Sequence, residues 1–390
     1  MKRLLSCTLL LTLAVSATAQ APPHVVVIVA DDLGVGDVGW LGSEIRTPHL
    51  DRFAAEGVQL NAHYGHSTCS PARAALLTGR YGFRVGVSRV TTAHRRGGNL
   101  KPGTPTFGTV FNSAGYETAC VGKWHVGGSP LDHGFEHYYG FPDTPAPDHF
   151  RPEGYGATLL GDFAVTRIQQ RDPARPMALY LSFNAPHFPL QALPEDLARY
   201  PQLAGRRKIF AAMVTALDTQ VGRVRDTLEA SGMLENTVIV FQSDNGADPR
   251  HGGSNGPLRG VKNTPYEGGI RVPACLWSPP RFASRSLDTP THAVDVLPTL
   301  AALAGIDAQS NWDGIDLSPL LAGGSLTRTG LLLAHEPKGF TAYREGRFKL
   351  LQERGRCRLF DLSVNETEDV RLRYPIETAQ LKRAAQQSVR

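Results

Sequence analysis

Four short runs of apolar residues predict the strands of a central sheet. Residues 24–30, 178–183 and 237–242 are almost continuously apolar, and residues 116–121 also have a strand-like composition. A strand with one face in water alternates apolar and polar residues, whereas a continuous run is typical of a strand covered on both faces. We therefore expect the first three runs to form strands that are buried on both faces.

Helical periodicity is clearest in residues 207–229, where Ile209, Met213, Leu217, Val221 and Val224 recur at the spacing of one helix face. Further predicted helices cover residues 48–57, 107–114, 292–304 and 376–385. Residues 344–351 and 357–362 are predicted to be hairpin strands. Residues 141–160 are rich in Pro, Gly and Asp and are predicted to be a long surface loop.

Composition and charge are those of an ordinary globular protein. The chain has 390 residues, of which 41% are hydrophobic and 20% are charged, enough to bury a large core in one large and one small domain. Its formal charge of +5 falls by two once Lys2 and Arg3 leave with the signal segment. This mild, scattered excess indicates neither a nucleic-acid partner nor a membrane partner.

Residues 1–19 have the features of a secretory signal: a basic start, an apolar run and the small residues 17–19. No later apolar run is long enough to cross a bilayer. We therefore expect a secreted or periplasmic protein. The four remaining cysteines, Cys69, Cys120, Cys275 and Cys357, lack metal-ligand spacing, and sequence cannot choose among their three possible disulfide pairings.

Adjacent carboxylates follow the first predicted strand. Asp31 and Asp32 would repel each other at a strand end unless a cation lay between them, although such loop acids are often simply solvated. Oxygen ligands favour Ca²⁺ or Mg²⁺. The glycines that follow, Gly34, Gly36 and Gly39, match a dinucleotide-binding fingerprint, but the sequence after Gly39 cannot begin the required helix.

A short helix with a cysteine at its start is predicted at residues 69–78. Ser67 or Thr68 can cap it, Pro71 suits its first turn, and Gly79 ends it. Cys69 would then lie where free backbone N–H groups favour an anion, with Arg73 one turn away. A buried structural cysteine is the alternative.

These residues resemble the sulfatase family. Its hallmark, Cys-x-Pro-x-Arg followed by Thr-Gly-Arg, is matched by Cys69, Pro71, Arg73, Thr78, Gly79 and Arg80. A second signature, Gly-Tyr-x-Thr followed by Gly-Lys-Trp-His, is matched by Gly115, Tyr116, Thr118, Gly122, Lys123, Trp124 and His125. Further matches are His187, Asp244-Asn245-Gly246 and Lys262.

The resemblance implies a sulfate ester hydrolase in which Cys69 is oxidised to formylglycine by a formylglycine-generating enzyme. Its hydrated aldehyde is then the nucleophile. The implied metal ligands, for Ca²⁺ or alternatively Mg²⁺, are Asp31, Asp32, Cys69, Asp244 and Asn245. The other implied site residues are Arg73 beside the formylglycine, Lys123 and Lys262 at the sulfate oxygens, His187 with Lys262 as proton donor to the leaving alcohol, and His125 as base for sulfate release.

The resemblance also implies the fold: an α/β, alkaline-phosphatase-like architecture with a large, mostly parallel mixed sheet flanked by helices. A catalytic domain would cover residues 20–325, and a small antiparallel sheet with a helix would cover residues 326–390. The sequence of residues 45–51 and 77–81 is most similar to that of the arylsulfatase B branch, which acts on N-acetylgalactosamine 4-sulfate. A sulfated glycan or small sulfate ester is the implied substrate.

Three other functions remain open from the sequence. A related hydrolase could cleave phosphate or phosphonate esters with the same type of nucleophile. A chain whose Cys69 stays unmodified could bind sulfated glycans without cleaving them. A dinucleotide oxidoreductase rests only on the three glycines.

Overall fold

The structure is a computed structural model that describes residues 21–91, 98–140, 148–337, 339–364 and 366–390. The predicted signal segment, residues 1–19, lies outside the described residues, and so do residues 141–147 of the predicted surface loop. No helix within the described ranges is both long enough and apolar enough to span a bilayer.

Sixteen strands lie in the described ranges. In chain order they are β1 His24–Ala30, β2 Val58–Leu60, β3 His63–Tyr64, β4 Glu117–Gly122, β5 His137–Tyr139, β6 Phe150–Arg151, β7 Gly154–Tyr155, β8 Met177–Ser182, β9 Thr237–Ser243, β10 Ala274–Trp277, β11 Arg285–Leu287, β12 Thr291–His292, β13 Gly330–Glu336, β14 Phe340–Glu345, β15 Phe348–Glu353 and β16 Arg356–Asp361.

The α-helices of the same ranges are ten in number. They are α1 Pro48–Glu56, α2 Cys69–Thr78, α3 Phe107–Ser113, α4 Gly156–Gln170, α5 Pro194–Ala198, α6 Gly205–Ala230, α7 Glu267–Ile270, α8 Val296–Leu303, α9 Ser318–Leu321 and α10 Pro375–Ser388.

The central sheet has eight strands in the order β11-β2-β10-β9-β1-β8-β4-β5. Strands β9, β1, β8, β4 and β5 are parallel neighbours, and β10 runs antiparallel to both β9 and β2. The sheet is therefore mixed and mostly parallel, which confirms the fold class expected from the sequence. The apolar runs predicted as strands at 24–30, 178–183 and 237–242 are β1, β8 and β9.

Helices cover both faces of this sheet, which explains why β1 is a continuous apolar run. Val25, Val27 and Val29 belong to one buried cluster, which also contains residues of α2, α3 and α8. Val26 and Ile28 belong to the opposite cluster, with residues of α1, α4 and α6. From Val25 to Ala30 neither face of β1 reaches water, so these positions are apolar.

A four-stranded antiparallel sheet, β13-β14-β15-β16, and helix α10 form the C-terminal region, as predicted. The prediction of one strand across 344–351 is wrong, because β14 ends at Glu345 and β15 begins at Phe348 after a turn that contains Gly346. Gly346 has a φ of +56°, a value that glycine adopts readily, and a single glycine was too weak a signal. The domain boundary at residue 325 stays a prediction.

The surface loop predicted at 141–160 is also partly wrong. Residues 150–155 form the short hairpin β6-β7, and α4 begins at Gly156. The helix buries Ala157, Leu160, Ala164 and Ile168, a regular apolar face. The Pro-, Gly- and Asp-rich residues before it concealed this periodicity.

A buried charge cluster joins the C-terminal sheet to the segment that follows Lys262. The Lys349 ammonium lies 2.9 Å from Glu267 Oε1 and 2.7 Å from Glu366 Oε1. The backbone N–H of Glu267 donates to Glu366 Oε2 at 2.7 Å. All three residues are buried. The cluster therefore ties β15 to the start of α7, five residues after Lys262.

We expect Lys349→Met to lower the free energy of unfolding by about 3 kcal/mol or more, because it removes the buried ammonium from two carboxylates, of which Glu267 keeps only the more distant Arg271 at 3.8 Å. Chemical denaturation measures this loss. The matched control is Lys382→Met, at an exposed lysine of α10, which should change the free energy of unfolding by less than about 0.5 kcal/mol. Equal effects of the two substitutions would contradict the assigned role of the buried cluster.

Candidate active site

The polar residues of the candidate site follow four neighbouring parallel strands, β9, β1, β8 and β4. Asp31 follows β1, Asp244 follows β9, Lys123 follows β4 and His187 lies five residues after β8. Because the carboxyl ends of parallel strands meet at one edge of a sheet, these residues come together although they are far apart in sequence. The edge of the sheet thus supplies most of the predicted site.

Helix α2 brings Cys69 to this edge as its first residue. Thr68, one of the two residues predicted to cap the helix, is the N-cap, but its side chain accepts no hydrogen bond from the helix. The Thr68 hydroxyl instead lies 3.5 Å from His66 Nδ1. At the other end Gly79 takes the left-handed conformation, with a φ of +65°, and ends the helix as predicted.

Arg73 is completely buried and holds the carboxylates of two strands. Its Nε and Nη2 donate to Asp244 Oδ2 at 3.0 and 2.8 Å, and Nη2 lies 3.6 Å from Asp31 Oδ1. Its Nη1 donates to the carbonyl oxygen of Lys123 at 3.1 Å and to the hydroxyl of Ser182. One guanidinium thus connects the ends of β1, β4, β8 and β9.

Two lysines complete a balanced set of charges. The Lys123 ammonium donates to Asp31 Oδ2, and the Lys262 ammonium lies 2.6 Å from Asp32 Oδ1 and 2.7 Å from Asp32 Oδ2. With Arg73 they supply three positive charges against the three carboxylates of Asp31, Asp32 and Asp244. An additional cation would give the site a net positive charge, which suits an anionic substrate.

The structure brings together the side chains proposed as metal ligands in two groups. Ligand atoms of Asp31, Asp32 and Cys69 lie within 4.8 Å of one another, and so does a ring nitrogen of His187, which is not among the ligands expected from the sequence. Asp244 lies beside them, and its Oδ1 accepts the N–H of Asp32 at 3.2 Å. The amide nitrogen of Asn245 donates to Asp32 Oδ1 at 2.7 Å.

These residues fit a divalent cation. Asp31 Oδ1 and Asn245 Oδ1 are buried oxygens without a hydrogen-bond partner among the described residues, although buried polar atoms are normally paired. Burial, and next the negative charge of Asp31, raise the pKa of Asp244 to about 7. The three carboxylates are balanced in charge, but two buried oxygens have no donor from the described residues, and a hard cation with oxygen ligands would satisfy them.

Burial raises the pKa of the Cys69 thiol to about 12, with smaller opposing effects from Lys123 and Lys262. The thiolate, not the thiol, is the nucleophilic form of cysteine. At neutral pH the encoded cysteine is therefore a poor nucleophile. This chemistry agrees with a modified side chain at position 69.

Two histidines line the cavity in defined tautomers. The Thr91 carbonyl oxygen lies 3.0 Å from His125 Nε2, and the Phe188 carbonyl oxygen lies 2.6 Å from His187 Nδ1. Because a carbonyl oxygen only accepts, each of these nitrogens carries a proton. The exchangeable nitrogens are thus His125 Nδ1 and His187 Nε2, and the latter lies 3.6 Å from Asp32 Oδ2.

Burial lowers the pKa of both rings. Burial, and then the charges of Lys123 and Arg73, lower the pKa of His125 to about 3, so that its ring is neutral and able to accept a proton. The pKa of His187 is also lowered, mainly by burial, whereas the nearby charges of Asp31 and Asp32 act in the opposite direction. Burial therefore favours the neutral form of both rings, but the next largest effects differ: cations lower the pKa of His125 further, whereas carboxylates act to raise the pKa of His187.

Cys69, Asp32, His125, His187 and Lys262 line one cavity of about 290 Å³. Sequence reasoning missed its other lining residues, Val90, Phe188, Asp248, Arg250, His251 and Asn263. The sequence offered one indication of these residues, which was position: residues 248–251 closely follow Asp244-Asn245-Gly246. A larger cavity of about 460 Å³, lined by Trp40, Leu41 and Arg271 among others, contains none of the predicted site residues.

The three glycines after β1 serve close packing. A Cβ on Gly34 would lie 2.1 Å from the carbonyl oxygen of Ser254, and one on Gly36 would lie 2.5 Å from the Ser254 hydroxyl. Residues 39–41 form a single 3-10 turn, and the next helix begins at Pro48. The helix that a dinucleotide fingerprint requires does not follow these glycines.

Comparisons with known proteins agree with this geometry. The sulfatase family model matches residues 23–306. Arylsulfatase J of Mus musculus is 34% identical over 76% of this chain and 55% of its own length, so this chain spans about half of that relative. N-acetylgalactosamine-6-sulfatase of Canis lupus familiaris is 34% identical over 80% of this chain and 68% of its own length.

Among solved structures, Ps i-CgsB in complex with k-i-k-neocarrahexaose superposes with a TM-score of 0.87 at 30% identity, covering 94% of this chain and 92% of that chain. The predicted alkaline-phosphatase-like architecture is thereby confirmed, whereas the arylsulfatase B branch stays a prediction. From the two sequence signatures, the site they form and these similarities, it follows that the chain belongs to the sulfatase family.

Proposed function

We propose that this protein hydrolyses sulfate monoesters of carbohydrates and also accepts simpler aryl sulfates. The observation that carries this proposal is the placement of Cys69 at the first turn of α2, in one cavity with Asp32, His125, His187 and Lys262. The cavity combines positive charge with groups that exchange protons, as transfer of a charged sulfuryl group requires. Ps i-CgsB, which binds a neocarrahexaose, supports a carbohydrate substrate.

The proposed nucleophile is formylglycine, made from Cys69 by a formylglycine-generating enzyme. Its hydrated aldehyde supplies one oxygen that takes the sulfuryl group from the alcohol, and a second hydroxyl whose deprotonation expels sulfate and restores the aldehyde. Arg73, one helical turn away, would steady residue 69 while it holds Asp244 and Asp31.

Asp31, Asp32, Asp244, Asn245 and the modified residue 69 are the proposed ligands of one divalent cation, Ca²⁺ or alternatively Mg²⁺. When bound, the cation supplies positive charge for a sulfate oxygen. Lys123 and Lys262 would neutralise charge on the remaining sulfate oxygens. Burial disfavours the charged form of Lys262, yet the carboxylates of Asp32 and Asp31 raise its pKa and keep it an ammonium.

The two histidines are proposed to move protons at separate steps. His187, assisted by Lys262, would donate the Nε2 proton to the oxygen of the departing alcohol as its bond to sulfur breaks. His125 would later accept a proton from the remaining hydroxyl of residue 69 when sulfate leaves. A neutral ring can accept a proton, which suits the role proposed for His125. The role proposed for His187 is the reverse, because it must donate a proton.

We expect His187→Ala to reduce kcat for a sugar sulfate by about 100-fold or more and to reduce kcat for an activated aryl sulfate far less. An aryl oxide is a stable leaving group, whereas a sugar alkoxide needs the proton. Because burial lowers the pKa of His187, its acid form is lost on the acidic side of an ordinary histidine's titration, and sugar sulfate turnover should decline as pH rises through that range.

The matched control is His137→Ala, at a partly buried histidine on the edge strand β5, which should change both rates less than about twofold. Equal losses on both substrates for His187→Ala, with bond cleavage rate-limiting, would rule out its role as the acid.

Initial rates with one sugar sulfate and its phosphate counterpart test the proposed reaction itself. Faster release of sulfate supports a sulfatase. Faster release of phosphate would instead make the protein a phosphate or phosphonate ester hydrolase. Binding without release of either would indicate a glycan-binding protein with an unmodified cysteine.

Secretion or export to the periplasm, expected from residues 1–19, belongs to the same proposal.

A further inference from the structure

The catalytic cavity adjoins a second cavity that no step above uses. The second cavity measures about 520 Å³ and is lined by Phe188, Leu190, Arg206, Arg250 and His251. Phe188, Arg250 and His251 also line the catalytic cavity. A substrate with its sulfate beside Cys69 would therefore extend its leaving group past these three residues into the second cavity.

An aromatic surface borders both cavities. The rings of Phe188 and His251 stack with 5.1 Å between centroids and 17° between planes. His251 Nδ1 lies 3.7 Å from Asp248 Oδ2. Phe188 is 44% exposed, so a flat ring face is available at the mouth of the site. Such a face suits the apolar C–H face of a sugar ring.

The second cavity also carries a positive charge that no carboxylate neutralises. Arg206 Nη1 donates to the carbonyl oxygen of Arg250 at 2.8 Å, and within the described ranges no carboxylate oxygen lies within 4.0 Å of the Arg206 guanidinium. Arg250 differs, because its Nε and Nη2 donate to both oxygens of Asp248 at 3.0 and 2.7 Å. The charges of Arg250 and Asp248 thus cancel each other, whereas the positive charge of Arg206 is not compensated by a nearby carboxylate of the described residues.

We propose that Phe188, His251 and Arg206 form a leaving-group subsite for a sugar unit that carries a second anionic group, either a carboxylate or a further sulfate. The aromatic pair binds the ring and Arg206 binds the anion. This inference rests on the proposed sulfatase function and narrows its substrates to acidic carbohydrates. Neutral sugars with a single sulfate fill only part of the subsite.

Calorimetric titration tests the subsite without turnover when every variant also carries Cys69→Ala. The ligands are an N-acetylhexosamine monosulfate, its disaccharide with a hexuronic acid, and the corresponding N-acetylhexosamine disulfate. Arg206→Gln should weaken binding of the doubly anionic ligands about fivefold more than binding of the monosulfate. Phe188→Ala should weaken all three about fivefold, and Phe188→Leu, which keeps apolar volume without a flat ring, should act similarly.

The matched control is Arg52→Gln, at an exposed arginine of α1 that pairs with Glu56 and lines neither cavity. It should leave all three affinities unchanged. Equal effects of Arg206→Gln on all ligands, or equal effects of Arg206→Gln and Arg52→Gln, would overturn the subsite. A larger effect on the uronic acid ligand identifies a carboxylate as the second anion, and a larger effect on the disulfate identifies a sulfate.

The experiments distinguish an error in the proposed subsite from an error in the proposed function. If the protein with Cys69 intact releases sulfate but Arg206→Gln does not discriminate between the ligands, the subsite alone is wrong. If binding discriminates as expected but the protein releases no sulfate, the subsite holds for binding and the proposed hydrolysis is wrong.

Discussion

Replacement of Cys69 by alanine is expected to reduce sulfate release by about ten-thousandfold or more while the protein remains folded. The substitution removes one buried sulfur atom from the first turn of α2, and alanine suits a helix. The loss of stability should stay near 1 kcal/mol, as expected for a small cavity. The loss of activity is large because the group removed is the proposed nucleophile.

Cys69→Ser provides the matched comparison. Serine restores a hydroxyl of similar size, but a single hydroxyl would remain esterified with sulfate, since no second hydroxyl on the same carbon can expel it. We therefore expect at most a single turnover, whose alcohol product can be measured by rapid quenching. Sustained turnover by Cys69→Ala would show that residue 69 is not the nucleophile.

Removal of the divalent cation is expected to lower both activity and the melting temperature. The proposed ligands Asp31, Asp32 and Asp244 are buried together, and without a cation their repulsion is balanced only by Arg73, Lys123 and Lys262. A cation present at about 100 times its Kd stabilises the folded state by about 2.7 kcal/mol, which exhaustive chelation should remove. Re-addition of Ca²⁺ should restore both properties.

Asn245→Leu tests the same site through one ligand. Leucine has a similar shape to asparagine but no amide oxygen. The Ca²⁺ concentration that gives half-maximal stabilisation should therefore rise about tenfold or more. Asn236→Ala, before the opposite end of β9, is the matched control and should leave that concentration unchanged. Activity and melting temperature that do not respond to chelation, together with a metal-free protein by elemental analysis, would contradict the cation site.

The sequence predicts the centre of this molecule better than its periphery, for physical reasons. Strand β1 is buried on both faces and is followed by Asp31 and Asp32, so composition alone marks both the strand and the polar residues after it. The same holds for β9 and Asp244. Parallel strands then require these residues to meet, and the structure places them together.

The sequence was less informative where no period or motif marks the residues. Helix α4 was missed because glycine and proline precede its apolar face, and the turn at Gly346 was missed because one glycine is a weak signal. Phe188, Arg206 and Arg250 come together only through the packing of separate loops and the start of α6. Their proximity depends on tertiary structure, which local patterns do not encode.

The mass of the tryptic peptide 53–73, measured together with specific activity, tests the central claim most directly. That peptide contains Cys69, and conversion to formylglycine replaces its CH₂SH side chain by an aldehyde or the hydrate. We predict that specific activity rises in proportion to the converted fraction across preparations made with and without a formylglycine-generating enzyme. Full activity in a preparation whose peptide contains only the unmodified thiol would contradict the account.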